Sequence, residues 1–242
     1  MVRAAAPKGA VLELRYLRLR TNADNQMQRT SEFLEKWYLP AMQRAGAGPL
    51  GFFANLIGPD SPSIIYLVSY PTLAAHEAVS IKTGDDKEFQ KALAAYYAMP
   101  GLGYMRTESS LLRCFDGMPS MDVPPAEAKR APRVFELRTY ESNNFATLER
   151  KIKMFEDGEI AIFRRLGMRP VFFARTIIGQ RMPNLTYLLA FDDLAAREKA
   201  WRAFGADPEW QKLRAQPGLS DAEIVSNISN AILRPLPFSP IR

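Results

Sequence analysis

Two short runs of alternating apolar and charged residues, far apart in the chain, carry nearly the same sequence. Val11-Leu12-Glu13-Leu14-Arg15-Tyr16 and Val134-Phe135-Glu136-Leu137-Arg138-Thr139-Tyr140 each put Glu and Arg on one side of a strand and Leu or Phe on the other, because successive strand side chains point to opposite faces. Each run predicts an opening strand. After the first, a polar turn at residues 21–25 leads to Met27, Phe33, Leu34, Trp37, Tyr38, Ala41 and Met42 at helical spacing, up to Gly46. After the second, Leu148, Ile152, Phe155, Ile162, Phe163 and Leu166 repeat that spacing. Pro40 in one helix and Gly158 in the other predict a bend or break in matching regions.

The β-rich runs Gly51 to Ile57 and Ser63 to Tyr70, joined by Gly58-Pro59-Asp60-Ser61-Pro62, read as a hairpin, and so do Val171 to Ile178 and Leu185 to Phe191. A second helix follows from about Thr72 and from about Asp193. Asp86 and Asp207 then read as N-caps of a further short helix, with Pro208 at its first position. Tyr104 to Phe115 and Glu223 to Arg234 read as closing strands. The order β-α-β-β-α-β occurs twice, which is the ferredoxin-like order. Equivalent residues lie 121 positions apart, as in Tyr66 and Tyr187, Glu88 and Glu209, and Arg113 and Arg234, so the chain is a duplicated domain. The repeats span residues 11–115 and 133–240, and residues 116–132, with Pro119, Pro124, Pro125 and Pro132, have linker composition. The Pro-rich end, Pro235-Leu236-Pro237-Phe238-Ser239-Pro240, is expected to lie along the surface, since proline lacks a ladder donor.

A four-stranded antiparallel sheet with both helices on one side leaves its other face uncovered, and that face must be buried against something. The second repeat supplies the cover. The expected fold is α+β: two tandem ferredoxin-like domains packed as a pseudo-dimeric α/β barrel with helices outside, associating further into a homo-oligomer through remaining sheet edges or helices.

At 242 residues, with 47% hydrophobic and 24% charged, the chain can bury a core in each half and lies far from disordered compositions. The net charge is +6 and the pI about 9.5, but the basic residues are scattered among acids and form no stripe interleaved with aromatics, which argues against nucleic acid. Cys114 is the only cysteine, so the chain holds no internal disulfide. No stretch approaches the roughly 18 apolar residues of a membrane span. As the sequence stands the expectation is a soluble, cytoplasmic protein, or an exported one if a signal peptide was removed before Met1.

Glu136 to Tyr140, Asp192-Asp193-Leu194 with Arg197-Glu198, Asp207-Pro208-Glu209-Trp210 and Ile232-Leu233-Arg234-Pro235 together resemble the NIPSNAP family within the dimeric α/β barrel superfamily. The likeness is strong over Arg133 to Pro240 and weaker over Val11 to Phe115, where Tyr16 replaces Thr; the whole organisation is similar to bacterial tandem members. The resemblance implies a ferredoxin-like fold, no cofactor and no established reaction. Eukaryotic members are linked to mitochondria and to protein interactions in vesicle traffic and mitochondrial quality control. Fold alone does not transfer function.

The candidate site residues are the strand pairs. If Leu12 and Leu14, or Phe135 and Leu137, pack on the helices, then Glu13, Arg15, Glu136, Arg138 and Tyr140 face the barrel interior. There an Arg could hold a small acid and a carboxylate could move a proton. Tyr66 and Tyr187, matched on the third strands, could line the same cavity or be core. The bland alternative is that the charges pair with each other and set the docking register. His76, the only histidine, corresponds to Arg197, which argues for an exposed position and against the haem ligation that a lone histidine can perform in this superfamily. No cluster has metal-ligand spacing. Cys114 reads as core filler, and of each pair Phe52-Phe53 and Phe172-Phe173 one is expected under the helices and one inside the barrel.

Two functions remain in view. The first is a non-catalytic binding or interaction protein of NIPSNAP type, engaging a small-molecule ligand or a protein partner. The second is a cofactor-free enzyme resembling the monooxygenases or isomerases of the superfamily, with Arg15 or Arg138 holding an anionic or aromatic substrate. The first is preferred because both copies keep the Glu/Arg pair, as an interface would, whereas an active site more often degenerates in one copy. If the pair is structural, Arg138→Leu loosens or unfolds the protein in a thermal melt; a variant as stable as the parent but unable to bind ligand excludes that role.

Overall fold

The computed structural model describes residues 9–21, 25–125 and 131–242. The start of the chain, the core of the polar turn and residues 126–130 of the Pro-rich connection lie outside them. The first repeat runs β1 (Val11–Arg18), α1 (Gln26–Phe33, Leu34–Tyr38 and Leu39–Ala45 in continuous succession), β2 (Leu50–Ile57), β3 (Ser63–Tyr70), α2 (Leu73–Asp85), α3 (Lys87–Ala98) and β4 (Arg106–Cys114). The second runs β5 (Val134–Glu141), α4 (Phe145–Met154, Phe155–Glu159 and Ile160–Arg165), β6 (Arg169–Ile178), β7 (Asn184–Phe191), α5 (Leu194–Ala206), α6 (Pro208–Arg214), α7 (Asp221–Ile224) and β8 (Asn227–Pro235).

The helix starts follow from their caps. Thr72, Asp86, Asn144, Asp193 and Asp207 each accept a backbone N–H three residues on, satisfying donors that the first turn leaves free. The expected bend in α1 and α4 takes the form of a π turn, Leu34–Tyr38 in one and Phe155–Glu159 in the other. The helices widen there and continue. Pro40, which has no N–H to give, follows the first π turn, and Gly158 lies within the second. The short α7, ahead of β8, has no counterpart in the first repeat and no apolar periodicity that would announce it.

The strands form one closed antiparallel barrel in the order β1-β3-β2-β8-β5-β7-β6-β4. Edge strand β2 of one repeat pairs with β8 of the other, and β4 pairs with β6. Closure leaves no strand edge of the barrel free, so of the two routes to association expected from the sequence, sheet edges or helices, the first is closed. Inside, Leu12, Leu14, Phe53, Ile65, Leu67, Phe135, Leu137, Phe172, Leu188 and Leu233 meet in a single apolar core built from both repeats. Each repeat also packs its helices on the outer face of its own sheet.

Phe52 and Phe53 divide between the helix side and the barrel, as do Phe173 and Phe172. The two doublets are out of step by one residue. Phe52 lies opposite Tyr66 in the β2–β3 register, and Phe173, not Phe172, lies opposite Tyr187. A register shift in β6 between Pro170 and Phe172 accounts for the slip, since one extra strand residue exchanges the two faces.

The connection and the carboxyl end are more deeply packed than their composition suggests. Met118 joins the outer core of the second repeat and Met121 the barrel core, while Asp122 N–H donates to the Val171 carbonyl at 2.8 Å. The surface course expected for the last residues holds for Pro237 and Pro240, which are exposed, whereas Pro235, Leu236 and Ser239 are buried. Ser239 Oγ accepts the Phe52 N–H at 2.9 Å, and Ile241, fully buried, enters the barrel core. The prolines stop the ladder, and apolar side chains beyond them still close the barrel end. Among the described residues no helix is long and apolar enough to cross a membrane.

Ile241→Ala should therefore cost about 2–4 kcal/mol of unfolding free energy in a denaturant titration. A loss near zero would mean that the tail is not part of the core.

Candidate functional site

The structure reverses the faces expected for the strand pairs. Leu12, Leu14, Phe135 and Leu137 line the barrel, so Glu13, Arg15, Glu136, Arg138 and Tyr140 turn outward beneath the helices. The barrel core is apolar and offers a charge no partner, and an unpaired buried charge is costly. The helix side offers partners. Tyr66 and Tyr187 also lie there, because they pair in register with Arg15 and Arg138 and cross-strand partners share a face.

In the first repeat these groups border a chamber of about 270 Å³ between sheet and helices. Arg15 Nε donates to Glu13 Oε1 at 2.6 Å, and its Nη1 to the Tyr66 hydroxyl at 3.2 Å. Glu13 also receives Ser109 Oγ at 2.9 Å and the Tyr70 hydroxyl at 3.3 Å. His76 is half-buried, not exposed as expected. Its Nε2 lies 3.6 Å from Glu13 Oε2 and its ring stands edge-on to Tyr70, because α2 brings it over the end of β1. Tyr38, Phe33, Met42 and Phe89 supply the apolar walls. Burial pushes the phenols of Tyr38, Tyr66 and Tyr70 above the usual tyrosine range. They stay protonated, so the chamber presents hydroxyl donors and no phenolate base.

The second repeat holds the same pair without the space. Glu136 receives Arg138 Nη1 at 2.9 Å, Arg197 through two bonds of 2.7 and 2.8 Å, Trp201 Nε1 at 2.7 Å and Asn230 Nδ2 at 3.1 Å. The Arg138 guanidinium lies 4.5 Å from the Trp201 ring centre. Tyr140 bonds to Arg138 and to Tyr187, which is fully buried. Burial raises the Glu136 pKa, but its hydrogen bonds and the Arg138 charge outweigh that and hold it below the usual carboxylate range. Lys151, fully buried, faces Glu159 at 3.4 Å within the same packed layer.

The difference between the repeats is a set of substitutions at the 121-residue offset. Trp201, Phe204 and Phe163 fill the second repeat, and Ser80, Thr83 and Met42 stand at the matching positions of the first. Arg197 is matched by His76, Glu159 by Tyr38 and Lys151 by Thr30. Tyr38, Tyr70, Ser80 and Ser109 were not singled out from the sequence. The signal that could have found them was the change of side-chain size at aligned positions of the two repeats.

Cys114 is buried in the barrel core and its thiol is pushed up to about 12 by burial, as suits a filler. A smaller hollow of about 100 Å³ opens at one barrel end, between Arg18, Arg181 and Asn230. Among the described residues, no group of three or more His, Cys, Asp or Glu side chains could hold a metal ion.

An eight-stranded antiparallel barrel made of two βαββαβ repeats, with helices outside and a polar pair under each helical layer, defines a tandem protein of the dimeric α/β-barrel class. The NIPSNAP family model matches residues 12–113 and again 135–240, and the chain belongs to the NIPSNAP family. Over nearly its full length it is similar in structure to a candidate monooxygenase from Fusobacterium nucleatum, with TM-score 0.61, 8% identity and coverage of 94% of this chain and 93% of the other. A candidate monooxygenase from Lactobacillus acidophilus gives 0.60, 10% identity and 93% coverage of both chains. An uncharacterised NIPSNAP-like protein from Burkholderia xenovorans is 28% identical over 45% of this chain and 89% of its own, with TM-score 0.39. No curated protein matches.

The depressed Glu136 fixes the sign of a pH effect. The folded state binds fewer protons than the unfolded state between the lowered pKa and the ordinary value of about 4.3. Its stabilisation is therefore complete above that value and is lost as pH falls through the folded pKa. Glu136→Gln should lower neutral-pH stability by about 3 kcal/mol and flatten the dependence below about pH 4.5, read from denaturant titrations across the acid range.

Proposed function

We propose that this NIPSNAP-family protein is a small-molecule-binding protein in which the first repeat carries the ligand chamber and the second is its filled structural counterpart. One observation carries the reading: an identical Glu/Arg pair is open to about 270 Å³ in one repeat and capped by Trp201 in the other. The symmetric retention that favours an interface holds for the pair alone. Its surroundings have diverged, as expected when one copy keeps a site and the other keeps only the packing. Concave sites with apolar walls and a few convergent polar groups are the usual form of ligand pockets.

A second reading, a cofactor-free enzyme of monooxygenase or isomerase type, is favoured by the position of His76 beside Glu13 at the chamber. A carboxylate can orient an imidazole that moves a proton. The two candidate monooxygenases similar over nearly the full length are 8% and 10% identical, and at that distance they carry the fold alone.

Ser80→Trp tests the binding reading by supplying the ring that the second repeat already has. The variant should fold with an undiminished melting temperature and lose the small-fragment adducts that the parent shows in native mass spectrometry. Equal adducts on both proteins, or none on the parent, would overturn it.

A further inference from the structure

We infer that the chamber takes a one- or two-ring aromatic compound bearing an O–H or N–H donor, a phenol or an indole, with its ring over the Arg15 guanidinium and its donor on Glu13. This deepens the binding reading and rests on it. The second repeat serves as the template. There Trp201 lays its ring 4.5 Å from the Arg138 guanidinium and gives its N–H to Glu136 Oε2 at 2.7 Å. An aromatic donor is thus what this Glu/Arg pair accepts when the protein provides one. In the first repeat the pair survives and the indole does not, since Ser80 stands at the matching position on α2.

The vacated contacts on Glu13 agree. Its Oε1 is taken by Arg15 and Ser109, whereas among the described residues Oε2 has only the 3.3 Å bond from Tyr70 and His76 at 3.6 Å. In the second repeat the matching oxygen holds Arg197 Nε and Trp201 Nε1 at 2.8 and 2.7 Å. Glu13 Oε2 therefore has room for one short donor bond, and a carboxylate seated there would be repelled. Of the anionic or aromatic ligand expected from the sequence, the aromatic one is favoured, because Arg15 is already paired with Glu13. Size agrees too: an apolar cavity of about 150 Å³ takes benzene, so about 270 Å³ suits one or two rings. Cation–π attraction favours a flat ring on the guanidinium.

The test uses the full chain with indole, benzothiophene, which has the same shape without the N–H, and benzoate, in calorimetry and thermal shift. Indole should saturate and raise the melting temperature. Benzothiophene should bind at least about tenfold more weakly, because a hydrogen bond to a charged acceptor is lost, and benzoate more weakly still. Ser80→Trp should take none of them. Trp201→Ser, which opens the second repeat, should melt lower than the parent and recover part of the loss with indole but not with benzothiophene. The comparison on the parent stands whether or not that variant folds. Equal binding of benzothiophene and indole, both blocked by Ser80→Trp, would overturn the donor class and leave the chamber reading intact. No binding of indole to the parent would overturn the inference, and binding undiminished in Ser80→Trp would overturn the chamber reading as well.

Discussion

The structure depends on two four-stranded sheets burying each other's open faces. Closure through β2–β8 and β4–β6 removes every strand edge from the barrel and leaves an apolar interior filled by Leu, Ile and Phe from both repeats. Along its middle that interior offers a charge no partner, and Arg18 and Glu108 pair at one barrel end. Strand parity then obliges Glu13, Arg15, Glu136 and Arg138 to turn outward, where hydroxyls, Asn230, Arg197 and His76 meet them. The location of the polar pair is a consequence of the dry barrel, and so is the placement of the chamber beneath the helices.

Duplication gives the two repeats the same frame and lets them diverge inside it. In the second repeat Phe155, Phe163, Phe173, Tyr187, Trp201 and Phe204 form a continuous aromatic cluster, and side chains of that size contribute roughly 1.5–3 kcal/mol each when buried. The first repeat forgoes that packing at Ser80, Thr83 and Met42. A protein that leaves such a volume open in one copy while filling it in the other gives up stability in one place, which fits a retained site better than a purely structural role for both halves. The buried Lys151 and Glu159 belong to the filled side, at positions where the first repeat has Thr30 and Tyr38.

The charged pairs that border the candidate site are legible in the sequence, though not their surroundings. The doubled Glu-Leu-Arg run marks Glu13, Arg15, Glu136 and Arg138, and the matched Tyr66 and Tyr187 prove to be their cross-strand neighbours. The face differs from the expected one because alternation says only that Leu and Glu point apart; it does not say which side is barrel and which is helix. His76 was read as exposed because its aligned partner is an arginine, yet that arginine is itself bound to a buried carboxylate. The alignment was informative and the inference from residue type was not. The doublets Phe52-Phe53 and Phe172-Phe173 each divide between the helix side and the barrel as their alternation implies, and one register shift in β6 sets them out of step.

The sequence by itself determined the duplication, the order of elements in each repeat, the helix caps and the identity of the charged pair, because these rest on local periodicity and on residues close in the chain. The barrel followed from the sequence too, because each repeat leaves one sheet face to be covered; tertiary structure alone decided which strands pair to close it, the outward direction of the charges, the insertion of Ile241 into the core and the difference between an open and a filled repeat. Those depend on which surfaces meet across more than a hundred residues, and on whether a ring at 201 or a hydroxyl at 80 occupies the same volume. Neither is encoded in any single stretch of the chain.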